Sequence, residues 1–229
     1  MQLDERLQAL ADFVPPASRV ADIGTDHGYL ALALLRDRKA TYVVASDVNQ
    51  GPLEAATHTF LENGVAENEI SVRLGDGLKV LKPGEVDCVC IAGMGGVLMT
   101  QILEASMDVV DKLKELVLQP MNGAAELRKW LYASDWHIDD ETLAVDSGRI
   151  YEIIKAVPGK ADMPSDVDLL IGPVLWQKKP PLLRHHIETL LFQARCILVG
   201  MERSDAAKES PRHAQVEKTA KELEERLKW

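Results

Sequence analysis

From Arg19 to Val157 the chain alternates short, β-branched apolar runs with longer stretches in which apolar residues recur every three or four positions. "RVADIGT", "TYVVASDV", "ISVRLGD", "DCVCIAG" and "ELVLQPM" predict strands; "GYLALALLRDR", "GPLEAATHTFLENG", "GVLMTQILEAS" and "AAELRKWLYAS" predict helices, the second stopped by Asn63-Gly64. Strands that are apolar almost throughout are buried on both faces, and intervening helices serve as crossovers, so the expected fold is α/β with a parallel sheet. "WHIDDETLAV" and "RIYEIIKAV" are separated only by Asp146-Ser147-Gly148, a turn so short that the sheet must end in an antiparallel hairpin. Ahead of the first strand, Leu3, Leu7, Leu10 and Phe13 keep helical spacing and leave Arg6 on another face of a leading helix, which is expected to cap the sheet's ligand edge.

The pattern changes near residue 160. "PGKADMPSD" reads as a linker, and Pro180-Pro181 suits a helix start. Leu183, Ile187, Leu190, Ala194, Ile197 and Met201, then beyond Pro211 Val216, Ala220, Leu223 and Leu227, follow a heptad-like rhythm that predicts an antiparallel helical hairpin, a short coiled coil. Two domains are therefore expected, residues 1–160 and residues 172–229. No run of about 18 apolar residues occurs and the N-terminus lacks a basic and apolar leader, so no membrane partner and a cytosolic location are expected. Cys88, Cys90 and Cys196 fit neither a disulfide framework nor a metal site, and all three are expected in the core, with no metal bound.

The net charge of −10 argues against a nucleic-acid partner until its distribution is considered. Residues 1–171 carry 15 Lys+Arg against 28 Asp+Glu, whereas residues 172–229 carry 11 against 8. An acidic body thus bears a mildly basic arm. Lys178, Lys179, Arg184 and Arg195, interleaved with His185 and His186 and with Glu188 as the one acid, form its most basic stretch.

In open parallel sheets ligands bind beyond the carboxyl ends of the strands. The first strand ends in Asp22-Ile-Gly24-Thr-Asp26-His27-Gly28, the second in Asp47, twenty-five residues after Asp22 and suited to ribose hydroxyls, the third in Gly75-Asp76-Gly77, suited to an adenine amine, and the fourth in Ala92-Gly93-Met94-Gly95-Gly96. A pyrophosphate needs N–H donors and positive potential, which acids around the first loop oppose. S-adenosylmethionine has no phosphate, and its sulfonium and ammonium groups favour carboxylates, so the spacing points to that cofactor. Each aspartate also suits a helix N-cap, but three such coincidences at successive strand ends are hard to sustain. After the fourth strand "GMGG" replaces the Asn/Asp-Pro-Pro-aromatic stretch common where an adenine amine is methylated, and no cysteine arrangement suggests attack on cytosine C5.

"DIGTDHGYL", "SDVNQGPLEAA", "LGDGL", "IAGMGG", "LQP" and "RKWL", preceded by "ERL" and followed by "GPVL" and a helical hairpin, closely resemble the bacterial TrmK family of tRNA (adenine(22)-N1)-methyltransferases over essentially the whole chain. The resemblance implies a Rossmann-like class I methyltransferase domain, a coiled coil that helps hold tRNA, and methyl transfer from S-adenosylmethionine to adenine N1. By the same resemblance Asp22, Gly24, Asp26, His27, Asp47, Asp76, Gly77 and Gly93 are the cofactor residues. Tyr29, Met94 and Asn122 would flank the target base, although Met121 intervenes where the family has Asn directly after Gln-Pro. Arg6 would lie near the phosphate, and Lys178, Lys179 and Arg184 would contact tRNA. A small-molecule methyltransferase and a non-catalytic cofactor-binding scaffold remain the competing readings, and a NAD-dependent enzyme is disfavoured by the missing pyrophosphate loop. A monomer is compatible with these features, while self-pairing of the hairpin stays open.

Overall fold

The computed structural model describes residues 3–229 as two compact units, residues 1–163 (described from residue 3) and 164–229. The first unit contains α1 (Glu5–Phe13), β1 (Ser18–Ile23), α2 (Tyr29–Arg36), β2 (Ala40–Asp47), α3 (Gln50–Glu62), β3 (Ile70–Leu74), a 3-10 turn at Gly77–Val80, β4 (Cys88–Met94), α4 (Gly96–Glu104), α5 (Met107–Val110), β5 (Glu115–Pro120), α6 (Ala124–Ala133), β6 (Trp136–Asp146) and β7 (Arg149–Pro158). The strands form one sheet in the order β3-β2-β1-β4-β5-β7-β6. The first five are parallel, and β7 runs antiparallel to both β5 and β6. This is the expected Rossmann-like methyltransferase arrangement.

Val20, Ala21, Val43, Val44, Val89, Cys90, Ile91, Val117 and Leu118 are buried in the central strands regardless of which face they point to, because helices cover both sides. Each buried Val, Leu or Ile contributes roughly 1.5–3 kcal/mol relative to exposure. The hairpin turn is Ser147-Gly148, with φ of 49° and 76°, the left-handed pair a two-residue hairpin turn requires. β7 pairs with β5 only through Ile154–Ala156, so the Arg149 end of the hairpin projects past the last paired position toward the carboxyl ends of the parallel strands. Helix α1, capped by the Asp4 side chain on Leu7 N, packs against β5, β6 and β7 there.

On the far side of the hairpin lies a buried ionic group. The Arg128 guanidinium on α6 is fully buried, with Nε 2.7 Å from Glu141 Oε1 on β6 and Nη2 2.6 Å from Glu152 Oε2 on β7. Burial alone would lower its basicity, but Glu141 and then Glu152 outweigh that and hold it charged.

The second unit contains α7 (Asp166–Ile171), α8 (Pro173–Lys178), α9 (Leu183–Met201), α10 (Asp205–Lys208) and α11 (Pro211–Arg226). Helices α9 and α11 pack antiparallel, as Arg184 near the start of α9 reaches Leu227 O and Trp229 O, and Arg195 reaches Glu224. Three expectations need correcting. Part of the presumed linker and the residues after it form α7 and α8, started by Ser165, whose side chain accepts from Asp168 N, and by Pro173 at a first helical position. Cys196 is exposed, unlike Cys88 and Cys90. Ile197 is also exposed, although the heptad-like rhythm places it on the seam between the two helices. No helix among the described residues is long and apolar enough to cross a membrane.

Candidate active site

The site is built at the carboxyl edge of the parallel strands. Beyond β1 the chain turns through Gly24 (φ 76°), Asp26 (φ 51°) and Gly28 (φ 72°), left-handed positions that glycine and aspartate tolerate best. A Cβ on Gly28 would lie 2.6 Å from Phe60 Cζ, so the start of α2 is seated on α3 as only glycine allows. Gly24 N and Thr25 N donate to Ser46 O at 2.8 and 2.9 Å. These two bonds tie the first turn of the loop to β2. The carboxylates of Asp22 and Asp26 beside it oppose a pyrophosphate by charge.

Asp22 is buried and accepts from Thr25 Oγ1 at 2.7 Å. Burial pushes its carboxyl up to about 6, against the opposing hydrogen bonds from Thr25 and the Ala31 backbone, and the neighbouring Asp47 adds to the rise. Such a carboxylate gains from a cation placed beside it. Asp47 Oδ1 accepts from Asn49 N at 2.9 Å; it stands before α3, whose N-cap is Asn49.

Two cavities flank Gly24, Asp47 and Met94, which line both. The first, about 290 Å³, is ringed by Arg6, Asp22, Asp26, His27, Tyr29 and Gly93. The second, about 210 Å³, is walled by Val48, Leu98 and Ile102 with Asp76 and Gly77 at its end. One carries carboxylates suited to a cation; the other offers apolar walls and an acid suited to a flat heterocycle with an amine. Together they fit S-adenosylmethionine laid across Gly24. A Cβ at Gly24 would come 2.3 Å from Met94 Cε, on a backbone that L side chains rarely adopt. Gly24→Ala is therefore expected to weaken cofactor affinity at least 10-fold with the fold retained, which calorimetric titration and thermal denaturation would check.

The structure brings Asp22, Gly24, Asp26, His27, Asp47, Asp76, Gly77, Gly93, Tyr29, Met94 and Arg6 to these two cavities. The Tyr29 ring, 41% exposed, stacks with His27 at 5.3 Å between centroids and 15° between planes, and His27 Nε2 lies 3.7 Å from Asp26 Oδ1. Asp76 is shared with Lys79 Nζ at 2.6 Å. Asn122 lines neither cavity: its main-chain carbonyl accepts from Gly96 N, and its side chain lies against Gly95. Asn122 thus holds the start of α4 through its main chain, with its side chain beside the turn that follows Met94.

The basic stretch is also largely engaged within the helical unit. Lys179 Nζ sits between the indoles of Trp176 and Trp229, 4.2 and 4.4 Å from their centroids. Arg184 donates to Leu227 O and Trp229 O and lies 3.8 Å from Glu188; His186 is buried with Nε2 3.2 Å from Ile171 O. Lys178 is exposed at the end of α8. Lys178, Lys179 and Arg184 nevertheless remain exposed to solvent, with two of them oriented by partners within the unit.

Gln119, which sequence reasoning passed over, is fully buried at the end of β5. Its Oε1 accepts from Arg6 Nη1 at 2.7 Å and Gly93 N at 3.1 Å, and its Nε2 donates to Pro120 O at 2.9 Å. It fixes Arg6 at the cavity and sets the Gly93 peptide. The motif "LQP" was the signal available, but its partners are distant in sequence.

Residues 3–154 match the family model described as a methyltransferase domain. The chain is 38% identical over 184 residues to the tRNA (adenine(22)-N(1))-methyltransferase of Bacillus subtilis, covering 78% of this chain and 77% of that protein. Among solved structures, the B. subtilis tRNA methyltransferase TrmK is 33% identical with a TM-score of 0.82, over 99% of this chain and 96% of that one. A Streptococcus pneumoniae protein in complex with S-adenosyl-L-methionine is 27% identical with a TM-score of 0.87, over 99% and 100%. With the acid-lined loop, the two joined cavities and this coverage, the chain belongs to the tRNA (adenine(22)-N(1))-methyltransferase family.

Proposed function

We propose that the protein methylates N1 of adenine 22 in the D-loop of tRNA, using S-adenosyl-L-methionine. The observation that carries this reading is the first loop, whose carboxylates line one cavity while a second, apolar cavity shares Gly24, Asp47 and Met94 with it. When bound, the cofactor supplies an electrophilic methyl group on a cationic sulfur. Asp22 and Asp26 would hold its positive end, Asp47 its ribose hydroxyls, and Asp76 the amine of its adenine between Val48, Leu98 and Ile102.

Adenine N1 carries a lone pair in its neutral form, so the reaction needs alignment and exclusion of water rather than a strong base. The N1 edge is hidden in paired or stacked RNA, and the base must be turned out at a cost of a few kcal/mol. Tyr29, half-exposed at the cavity mouth, offers a ring for it to stack on. Gly93 N is already donated to Gln119, and Met94 O accepts from Met121 N, which leaves the second lone pair of that carbonyl for the base edge. The product base is cationic, and the acids beside it offset that charge.

The test is incubation with unmodified tRNA transcripts and S-adenosyl-L-methionine, followed by nucleoside mass spectrometry with positional mapping. N1-methyladenosine at one D-loop site is expected. No methylated nucleoside despite cofactor binding would shift the reading to a small-molecule acceptor. In the same assay Tyr29→Phe is expected to retain activity and Tyr29→Ala to lose about 10- to 100-fold, the worth of one base–aromatic stack; full activity in Tyr29→Ala would remove the role.

A further inference from the structure

The acceptor side of the cavity must receive a polyanion, yet Asp22, Asp26 and Asp47 repel one, and Arg6 is the one arginine or lysine among the described residues lining that cavity. The projecting end of the hairpin supplies a second. Arg149, exposed at the first position of β7, donates from Nη2 to Met121 O at 2.7 Å, which ties it beside the end of β5. Its guanidinium carbon lies 5.3 Å from the centroid of the Tyr151 ring, and that of Arg6 lies 5.7 Å from the same centroid. Two guanidiniums from opposite ends of the unit thus share one half-buried aromatic ring, and one of them reaches the cavity. The acids nearby are already partnered: Asp4 lies 3.4 Å from Arg6 Nη2, Asp146 accepts from Ser147 Oγ, and Glu152 is bound to Arg128.

We propose that Arg6, Tyr151 and Arg149 form a shelf that binds the phosphodiester backbone next to the turned-out adenosine. Guanidiniums suit this task because their planar donors match phosphate oxygens, and a ring beneath them fixes their planes before the RNA arrives. The buried Gln119 amide and the Met121 carbonyl hold each guanidinium from behind, leaving other N–H groups of each fork for the ligand. The shelf rests on the tRNA reading above and adds to it the residues that align the backbone; Arg149 and Tyr151 are positioning residues, not catalytic ones.

The test compares steady-state methylation of one tRNA transcript by wild type, Arg149→Glu, Arg149→Gln and Arg149→Lys, with cofactor affinity and melting temperature measured for each. Arg149→Glu and Arg149→Gln are expected to raise KM for tRNA about 10-fold or more, with kcat and cofactor affinity within about 2-fold of wild type, and Arg149→Lys to recover much of the loss. Arg149→Gln is also expected to shallow the dependence of log affinity on log salt by about one contact. Glutamine keeps a donor for the Met121 carbonyl, so a purely structural role would leave its KM unchanged, and that result overturns the shelf. Wild-type protein that methylates no tRNA would instead overturn the substrate reading itself.

Discussion

Asp22→Asn is expected to abolish measurable cofactor binding while leaving the ligand-free protein at least as stable as wild type near pH 8. The two effects share one cause. Asp22 is buried, and its carboxyl stands at about 6 against an ordinary 3.8, so in the ligand-free fold its charge is a burden. Between those two values the folded chain keeps a proton that the unfolded chain has lost. Stability therefore falls as pH rises through that window, by about 3 kcal/mol in all, and is level above it. Binding a cation has the opposite sign: it favours the ionised carboxylate, so affinity for S-adenosyl-L-methionine should climb as pH rises to about 6 and then level off. Asparagine has neither dependence. Thermal melts and calorimetric titrations across this range, on both proteins, check both halves. A variant that melts well below wild type near pH 8, or binds the cofactor as tightly, would show that Asp22 serves the fold and not the ligand.

The largest stability effect is expected at Arg128. Arg128→Ala strands Glu141, which is fully buried, and Glu152, which is mostly so. Removing one member of a buried ion group typically costs about 3–5 kcal/mol, which for a protein of this size lowers the melting temperature by roughly 6–20 °C. The loss should exceed that of the triple variant Arg128→Met, Glu141→Gln, Glu152→Gln, because neutral replacements leave no uncompensated charge inside. Equal melting temperatures for Arg128→Ala and wild type would mean that the glutamates find other partners. Differential scanning calorimetry of the three proteins decides it.

The sheet was legible because its strands are apolar almost throughout and its hairpin turn is two residues long. The cofactor side was legible for a related reason: each acid sits at a strand end, and a parallel sheet brings such ends to one edge. Local signals for α7 and α8 were also present, in Ser165 and Pro173, but a stretch rich in proline, glycine and aspartate hid them. The acceptor side was less readable. Gln119 looks like an unremarkable strand residue until Arg6, 113 positions away, is seen to donate to it. Lys179 and Arg184 are exposed as their spacing suggests, but spacing does not show the tryptophans they stand beside. The main-chain bond from Gly96 to Asn122, which sets the start of α4, has no counterpart in residue type and was not readable.

The sheet order also dictates when the pocket can exist. β7 must enter between β5 and β6, and α1 packs on that hairpin as well as on α2 and β5, so the earliest helix in the chain completes its seat only after residue 158 has been made. During synthesis β1 to β4 can pair as they emerge, since their neighbours are near in sequence or already present, and α1 can first rest on α2 before the hairpin completes its seat. Arg6, Gln119 and the hairpin tip therefore come together as the final act of folding in this unit. A chain nicked ahead of the hairpin would lose both Arg149 and the strands on which α1 completes its seat, and with them the support of the wall that carries Arg6.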